Sequence, residues 1–237
     1  MTEPIVGIIG GMGPEATIEL MQRIVSKTPA ADDQDHIHMI VDNNPKVPSR
    51  IQALLEGTGD NPAPVLMAMA RRLEQAGADF LVIPCNTAHY YWPDIRRSVG
   101  IPVWHLVDLT LQAVKKDLPK NKQTIGLLAS PALEKIGLYQ HGCDRQGLSL
   151  LYPTEKEKQL EVIRAVKKGR HTANHIATLN ALAAQLVASG ADAIVLGCTE
   201  FSILHQEIQA SVPVIDAMEV LADEILIACK GEPFSEA

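Results

Sequence analysis

The sequence predicts an α/β fold of two similar domains, each a parallel sheet flanked by helices, related by pseudo-twofold symmetry with a site in the cleft between them. Three observations predict it. Short β-rich runs alternate with longer amphipathic ones, the order that builds parallel sheets covered by helices. The strand runs are apolar throughout, as strands buried on both faces are. The chain also repeats itself. Ala76-Gly77-Ala78-Asp79-Phe80-Leu81-Val82-Ile83-Pro84-Cys85-Asn86-Thr87 parallels Ser189-Gly190-Ala191-Asp192-Ala193-Ile194-Val195-Leu196-Gly197-Cys198-Thr199-Glu200, with eight residues from Gly to Cys in each.

In chain order, strands are expected over 5–9, 36–41, 80–83, 102–104, 124–128, 148–151, 193–196 and 213–215. Helices are expected between them. One over 15–26 follows Pro14, and others cover 65–75, 89–98 and 108–116. Ser130 caps a helix that opens on Pro131. Thr154 and Glu157 have capping-box spacing and open a helix running to about Lys167. A helix over 173–188 is stopped by Gly190, and the last covers 217–228. Each cysteine of the repeat is followed by a helix and a proline-marked strand, Ile101-Pro102-Val103 or Val212-Pro213-Val214. More weakly, 5–9 resembles 124–128. The period is too long for a solenoid. If the helices at 108–116 and 217–228 each cross to the other unit, the first domain is discontinuous. It then comprises 1–104 plus 216–237, and the second domain 105–215.

Composition narrows the function. Of 237 residues, 46% are hydrophobic and 21% charged, the balance of a globular protein. A net charge of -7 and an aromatic content of 4% disfavour nucleic acid, which needs cations for phosphates and rings for bases. No apolar run reaches the ~20 residues of a membrane helix, and the N-terminus carries no export signal. A cytoplasmic location is expected, with Cys85, Cys143, Cys198 and Cys229 reduced.

Ligands of parallel α/β units bind beyond the carboxyl ends of the strands, where Cys85 and Cys198 both fall. A following helix offers N–H groups and a positive end that favour a thiolate. Two equivalent thiols on opposite walls of a cleft can take a proton from one face of a carbon and return one to the other. Asn86, Thr87 and Thr199 can hold a carboxylate, and the two threonines read equally well as helix caps. Arg50, in the proline-bracketed loop Asn43-Asn44-Pro45-Lys46-Val47-Pro48-Ser49-Arg50, suits a carboxylate. Lys167 ends the helix before Gly169. The loop Gly10-Gly11-Met12-Gly13-Pro14 lacks dinucleotide spacing but can bring backbone to a small anion. His36 and His38 share a strand face without a third ligand, so no metal is expected. His89 reads either as a thiolate partner or as a core histidine. Cys143 and Cys229 read as structural.

These motifs, with Pro84-Cys85-Asn86-Thr87-Ala88-His89, Val166-Lys167-Lys168-Gly169 and Gly197-Cys198-Thr199-Glu200, make the sequence resemble the aspartate/glutamate racemase superfamily over nearly its whole length. Within it the sequence looks most like the aspartate racemases. The resemblance implies a homodimeric isomerase that needs neither cofactor nor metal. It implies Cys85 and Cys198 as the acid/base pair, with Cys85 serving the D-enantiomer and Cys198 the L-enantiomer. Arg50 and Lys167 would clamp the side-chain carboxylate, with Lys168 as the alternative lysine. Met12, Asn86, Thr87 and Thr199 would form the α-carboxylate pocket, and Glu200 counts among the substrate-binding residues. Ser49 departs from the Asp usual before the Arg. The expected substrate is aspartate. A broader-specificity racemase, a non-catalytic amino-acid-binding protein and a nucleotide-dependent oxidoreductase are the alternatives.

Overall fold

The structure is a computed structural model that describes residues 3–119 and 121–231. Two parallel sheets form its framework. In the first, β1 (Val6–Gly10) lies between β2 (Met39–Asn43) and β3 (Phe80–Val82). In the second, β4 (Thr124–Leu128) lies between β5 (Ser149–Leu151) and β6 (Ala193–Leu196), and β7 (Val214–Asp216) pairs with β6. The proline-marked run at 102–104 makes only one bridge, Leu81 to Val103, at the place β7 holds in the second sheet. Pro102 gives the bridge its carbonyl, accepting from Leu81 N, but has no N–H with which to extend it. The second strand starts three residues later than expected, so His36 and His38 both precede it. Among the described residues no group of three or more His, Cys, Asp or Glu could hold a metal.

The repeat has a structural reason at each end. Helix α1 (Pro14–Lys27) follows β1, and α2 (Ala63–Gln75) precedes β3. After α2 the chain turns at Gly77, whose φ is 98°, and Gly190 after α8 (Ala173–Ala188) has the same φ of 98°. A side chain there would be strained, which is why both copies carry glycine. Asp79 Oδ2 then accepts the Ile5 N–H at 2.7 Å, while Asp192 Oδ2 accepts those of Gln123 and Thr124, each at 3.0 Å. Each aspartate thereby satisfies backbone donors at the start of the central strand and fixes its register against the strand that leads to a cysteine.

In the chain between β3 and β4 lie α3 (Trp92–Arg97) and α4 (Leu106–Asp117). After β4 come α5 (Pro131–Ile136), α6 (Leu138–Gln146) and, past β5, α7 (Lys156–Val166). The expected helix at 89–98 instead begins as a 3-10 turn, Asn86–Tyr91, because Pro93 is accommodated only in the first turn of α3. The Thr154 capping box does not form: Glu155 is the N-cap of α7, and Thr154 Oγ1 accepts from Gln185 instead. Past β6 lie the single-turn α9 (Thr199–Ser202) and, after β7, α10 (Ala217–Lys230).

Four apolar clusters cover the sheet faces. Met218, Leu221 and Ile225 of α10 join Leu20 and Ile24 of α1 over the β1 face that carries Val6 and Ile8. Val107, Leu111 and Val114 of α4 pack with Leu127, Val195 and Tyr139 against the second sheet. The remaining faces carry α2 and α3 on one sheet and α7 and α8 on the other. No described helix is long and apolar enough to cross a membrane.

The central strands are packed without slack. A Cβ built on Gly126 would lie 2.8 Å from Leu186 Cβ of α8 and 3.0 Å from Ile194 Cδ1; one on Gly7 would lie 2.5 Å from Leu81 Cδ2. We expect Gly126→Val to lower unfolding stability by about 1–3 kcal/mol. Urea denaturation checks this, and an unchanged midpoint would mean α8 does not press on β4 as the structure has it.

Candidate active site

The carboxyl ends of β1, β3, β4 and β6 meet at one cleft holding about 380 Å³ of space outside protein atoms. Met12, Arg50, Cys85, Asn86, Thr87, Lys167, Cys198, Thr199 and Glu200 all line it, with Ser130, Gly197, Ile51 and Ile163. The structure therefore brings together every residue expected at the site. It also separates the two lysines: Lys167 lines the cleft, whereas Lys168 faces another surface with Glu157, Glu161 and Arg164.

The cysteines occupy matching places. Cys85 precedes the 3-10 turn and Cys198 precedes α9; each has extended backbone and stands at the N-cap position. Thr87 and Thr199 are thus inside the first turns, not caps. Both thiols are buried, and all four cysteines are free. Cys85 Sγ lies 3.4 Å from Thr87 Oγ1. Cys198 Sγ donates to Glu200 Oε2 at 2.9 Å. The expected thiolate-favouring helix start is overruled at Cys198. Burial, then the neighbouring Glu200 carboxylate, push its pKa well above the ordinary value, and Lys167 only partly offsets them. Cys198 therefore rests as a thiol.

Glu200 is itself 6% exposed. Its Oε1 lies 3.4 Å from Lys167 Nζ but has no hydrogen bond. Two other cleft atoms share that condition, Arg50 Nε and Asn86 Nδ2. Arg50 already spends its other nitrogens on backbone: Nη1 donates to Val47 O and Pro48 O, and Nη2 to Met12 O. It therefore ties the loop after β2 to the loop after β1. In that first loop the Gly11 N–H is taken by Thr17 Oγ1, so this donor is not free for an anion.

His89 is no partner of the thiolate. The Leu106 N–H donates to its Nε2 at 3.0 Å, which leaves the proton on Nδ1, 2.9 Å from Cys85 O. Burial, then the His105 charge, drive its pKa down to about 3. The ring is a neutral strut between the Cys85 backbone and the start of α4. Ser130, read from the sequence only as the helix cap it is, also lines the cleft, and Tyr139 escaped the sequence reading. The repeat holds a signal for Ser130, because β1 and β4 are each followed by a loop that opens a helix on proline, Pro14 and Pro131. Nothing local marks Tyr139, whose hydroxyl donates to Asn86 Oδ1 at 2.7 Å from 53 residues away.

Known proteins resemble this chain in sequence and fold. The model of the Asp/Glu/hydantoin racemase family matches residues 9–225. The broad specificity amino-acid racemase RacX of Bacillus subtilis (strain 168) is 26% identical over 223 residues, covering 92% of this chain and 95% of that protein. The Picrophilus torridus aspartate racemase structure is 29% identical with a TM-score of 0.83, over 98% of this chain and 96% of that one. A putative Asp/Glu racemase from Yersinia pestis is 25% identical with a TM-score of 0.74, over 94% and 97% of the two chains.

The cause of the Cys198 shift gives it a testable sign. Glu200→Gln removes the carboxylate that favours the protonated sulfur, so thiolate should appear at lower pH. Lys167→Met removes the opposing cation, so it should appear at higher pH. Iodoacetamide modification of Cys198 against pH, read by peptide mass spectrometry, measures both. Shifts in the opposite directions would mean Glu200 does not govern the thiol.

Proposed function

The chain belongs to the Asp/Glu/hydantoin racemase family, a family of isomerases, and we propose that it interconverts L- and D-aspartate through a two-base Cys85/Cys198 mechanism without a cofactor. The observation that carries this reading is the pair of thiols at matching strand ends, one from each sheet, lining one cleft. In one direction the Cys85 thiolate removes the α-proton, and the electron pair left on carbon is delocalised into the α-carboxylate. The Cys198 S–H then delivers its proton to the opposite face, leaving Cys85 as thiol and Cys198 as thiolate. The reverse reaction restores both. The resting bond from Cys198 to Glu200 supports Cys198 as the initial donor.

The three cleft atoms without a hydrogen bond support a pose. Unpaired buried donors cost about 1–3 kcal/mol each, and an amino acid answers Arg50 Nε and Asn86 Nδ2 as well as the Glu200 oxygen that Lys167 holds. Asn86 Nδ2, with Thr87 and Thr199, receives the α-carboxylate beside Met12. Glu200 Oε1 accepts from the α-ammonium. Arg50 Nε and Lys167 receive the side-chain carboxylate. The division into domains 1–104 plus 216–237 and 105–215 belongs to the same reading, supported by α10 packing on α1 and α4 on the second sheet. Residues 1, 2, 120 and 232–237 lie outside the described residues. The reading also takes the enzyme as a cytoplasmic homodimer. A second reading, broader specificity, is favoured by the Bacillus subtilis relative. A wider cavity adjoining the cleft, past Pro45, Ser49 and Ile203, gives longer side chains room.

Chiral chromatography of each L-amino acid after incubation with pure protein tests the activity. Cys85→Ala and Cys198→Ala should each abolish racemisation with the fold intact. Each should still exchange the α-proton of one enantiomer for deuterium through the thiol that remains. Normal racemisation by either variant would refute the two-base mechanism.

Arg50 decides the substrate. A charge-assisted hydrogen bond is worth ~1.5–3 kcal/mol, so Arg50→Ala should lower kcat/KM for aspartate about 10- to 100-fold. The same change should affect alanine far less. An equal loss for both substrates would reduce Arg50 to a tie between loops.

A further inference from the structure

We infer that Tyr139 is a positioning residue that sets the amide of Asn86 and couples the two cysteine loops; this rests on the racemase reading of the cleft. Tyr139 sits on α6, outside the cleft's lining, and none of its surface is exposed. Its ring packs with Leu127, Leu133 and Ala129 beneath the second sheet's strand ends. It reaches both loops. A Cβ built on Gly197, the residue before Cys198, would lie 3.3 Å from Tyr139 Cε2 and 2.8 Å from Leu127 Cδ1. The ring thus supports the Cys198 loop from below. The hydroxyl meanwhile donates to Asn86 Oδ1 at 2.7 Å, and Asn86 directly follows Cys85.

That bond gives the amide a direction. Asn86 is 3% exposed, and its two ends differ chemically: one accepts, the other donates. With Oδ1 held by the phenol, Nδ2 is the end left without a partner. A carboxylate needs donors, so this orientation is productive and the flipped one presents an oxygen to an anion. The phenol is suited to the task because burial drives its pKa far above the usual tyrosine value, so it remains a neutral donor. The contact also spans the fold: Asn86 follows β3 of the first sheet, and Tyr139 packs on the second.

The test is Tyr139→Phe, which removes one oxygen and keeps the ring against Gly197. KM should rise about 5- to 10-fold, the worth of one neutral hydrogen bond, with kcat changed less. The rise should be the same for aspartate and alanine, because both carry an α-carboxylate. Asn86→Ala should raise KM likewise, and the double variant should be no worse than Asn86→Ala alone. Multiplying effects in the double variant, or wild-type kinetics in Tyr139→Phe, would overturn the inference. Nuclear magnetic resonance of the side-chain amides gives an independent readout. The Asn86 NH2 signal, assigned by its loss in Asn86→Ala, should move in Tyr139→Phe; an unmoved signal would also overturn it. If wild-type protein racemised no amino acid, the racemase reading would fall, while the amide signal would still decide whether Tyr139 holds Asn86.

Discussion

Two aspartate carboxylates at the bottoms of the sheets determine what happens at their tops. Asp79 and Asp192 each take backbone N–H groups at the start of a central strand, and each returns its own N–H, to Ile5 O and Thr124 O. This fixes one strand against its neighbour at a single point. In a parallel pair the register then propagates to the far end. Six residues later, in each copy, the chain emerges at a cysteine. The matched placement of Cys85 and Cys198 is therefore a consequence of register set a strand's length away. The glycines before the aspartates permit the tight entry, and the small glycines within β1 and β4 let a helix press close enough to hold it.

The same plan does not make the two walls chemically equal. Cys85 has a hydroxyl beside it and a neutral histidine behind its carbonyl. Cys198 has a carboxylate, itself paired with a lysine. A duplicated scaffold places two thiols symmetrically, while the residues two positions on, Thr87 and Glu200, give them different neighbours. The buried Arg23 adds a further asymmetry. From α1 it donates to Asp216, Glu219 and Ser202 O, and so braces the end of α9, whereas among the described residues no arginine hydrogen-bonds the 3-10 turn.

Much of this was legible in the sequence because it is local. The repeat, the strand runs and the glycine stops depend on residues a few positions apart, and their chemistry is visible in order. Cys85 and Cys198 were legible because ligands of parallel sheets bind at the strand ends, while the family resemblance supplied roles for Met12, Lys167 and Glu200. Three things were not legible, and each has a physical cause. The run at 102–104 has strand composition, yet proline restricts it to one bridge. Thr154 has the spacing of a cap, yet Gln185 from α8 competes for its oxygen. Cys198 precedes a helix, yet α9 has only four residues, too few for its dipole to outweigh burial beside a carboxylate.

Tertiary partners also redefine residues whose identity was correctly read. Arg50 was expected as a cation offered to a ligand, and in the structure most of its donors hold backbone carbonyls. This suits the clamp role proposed for it, because a guanidinium fixed by carbonyls has lost its rotamer freedom before a ligand arrives. Its remaining Nε points the same lesson as Asn86 Nδ2 and Glu200 Oε1. In the first two the fold satisfies one part of a polar group and leaves another part without a hydrogen bond, and in Glu200 it leaves Oε1 with only the Lys167 ion pair. A protein core ordinarily avoids such atoms. Two such donors beside two thiols, with the Glu200 carboxylate held by Lys167, form the complement of a molecule with carboxylates and an ammonium.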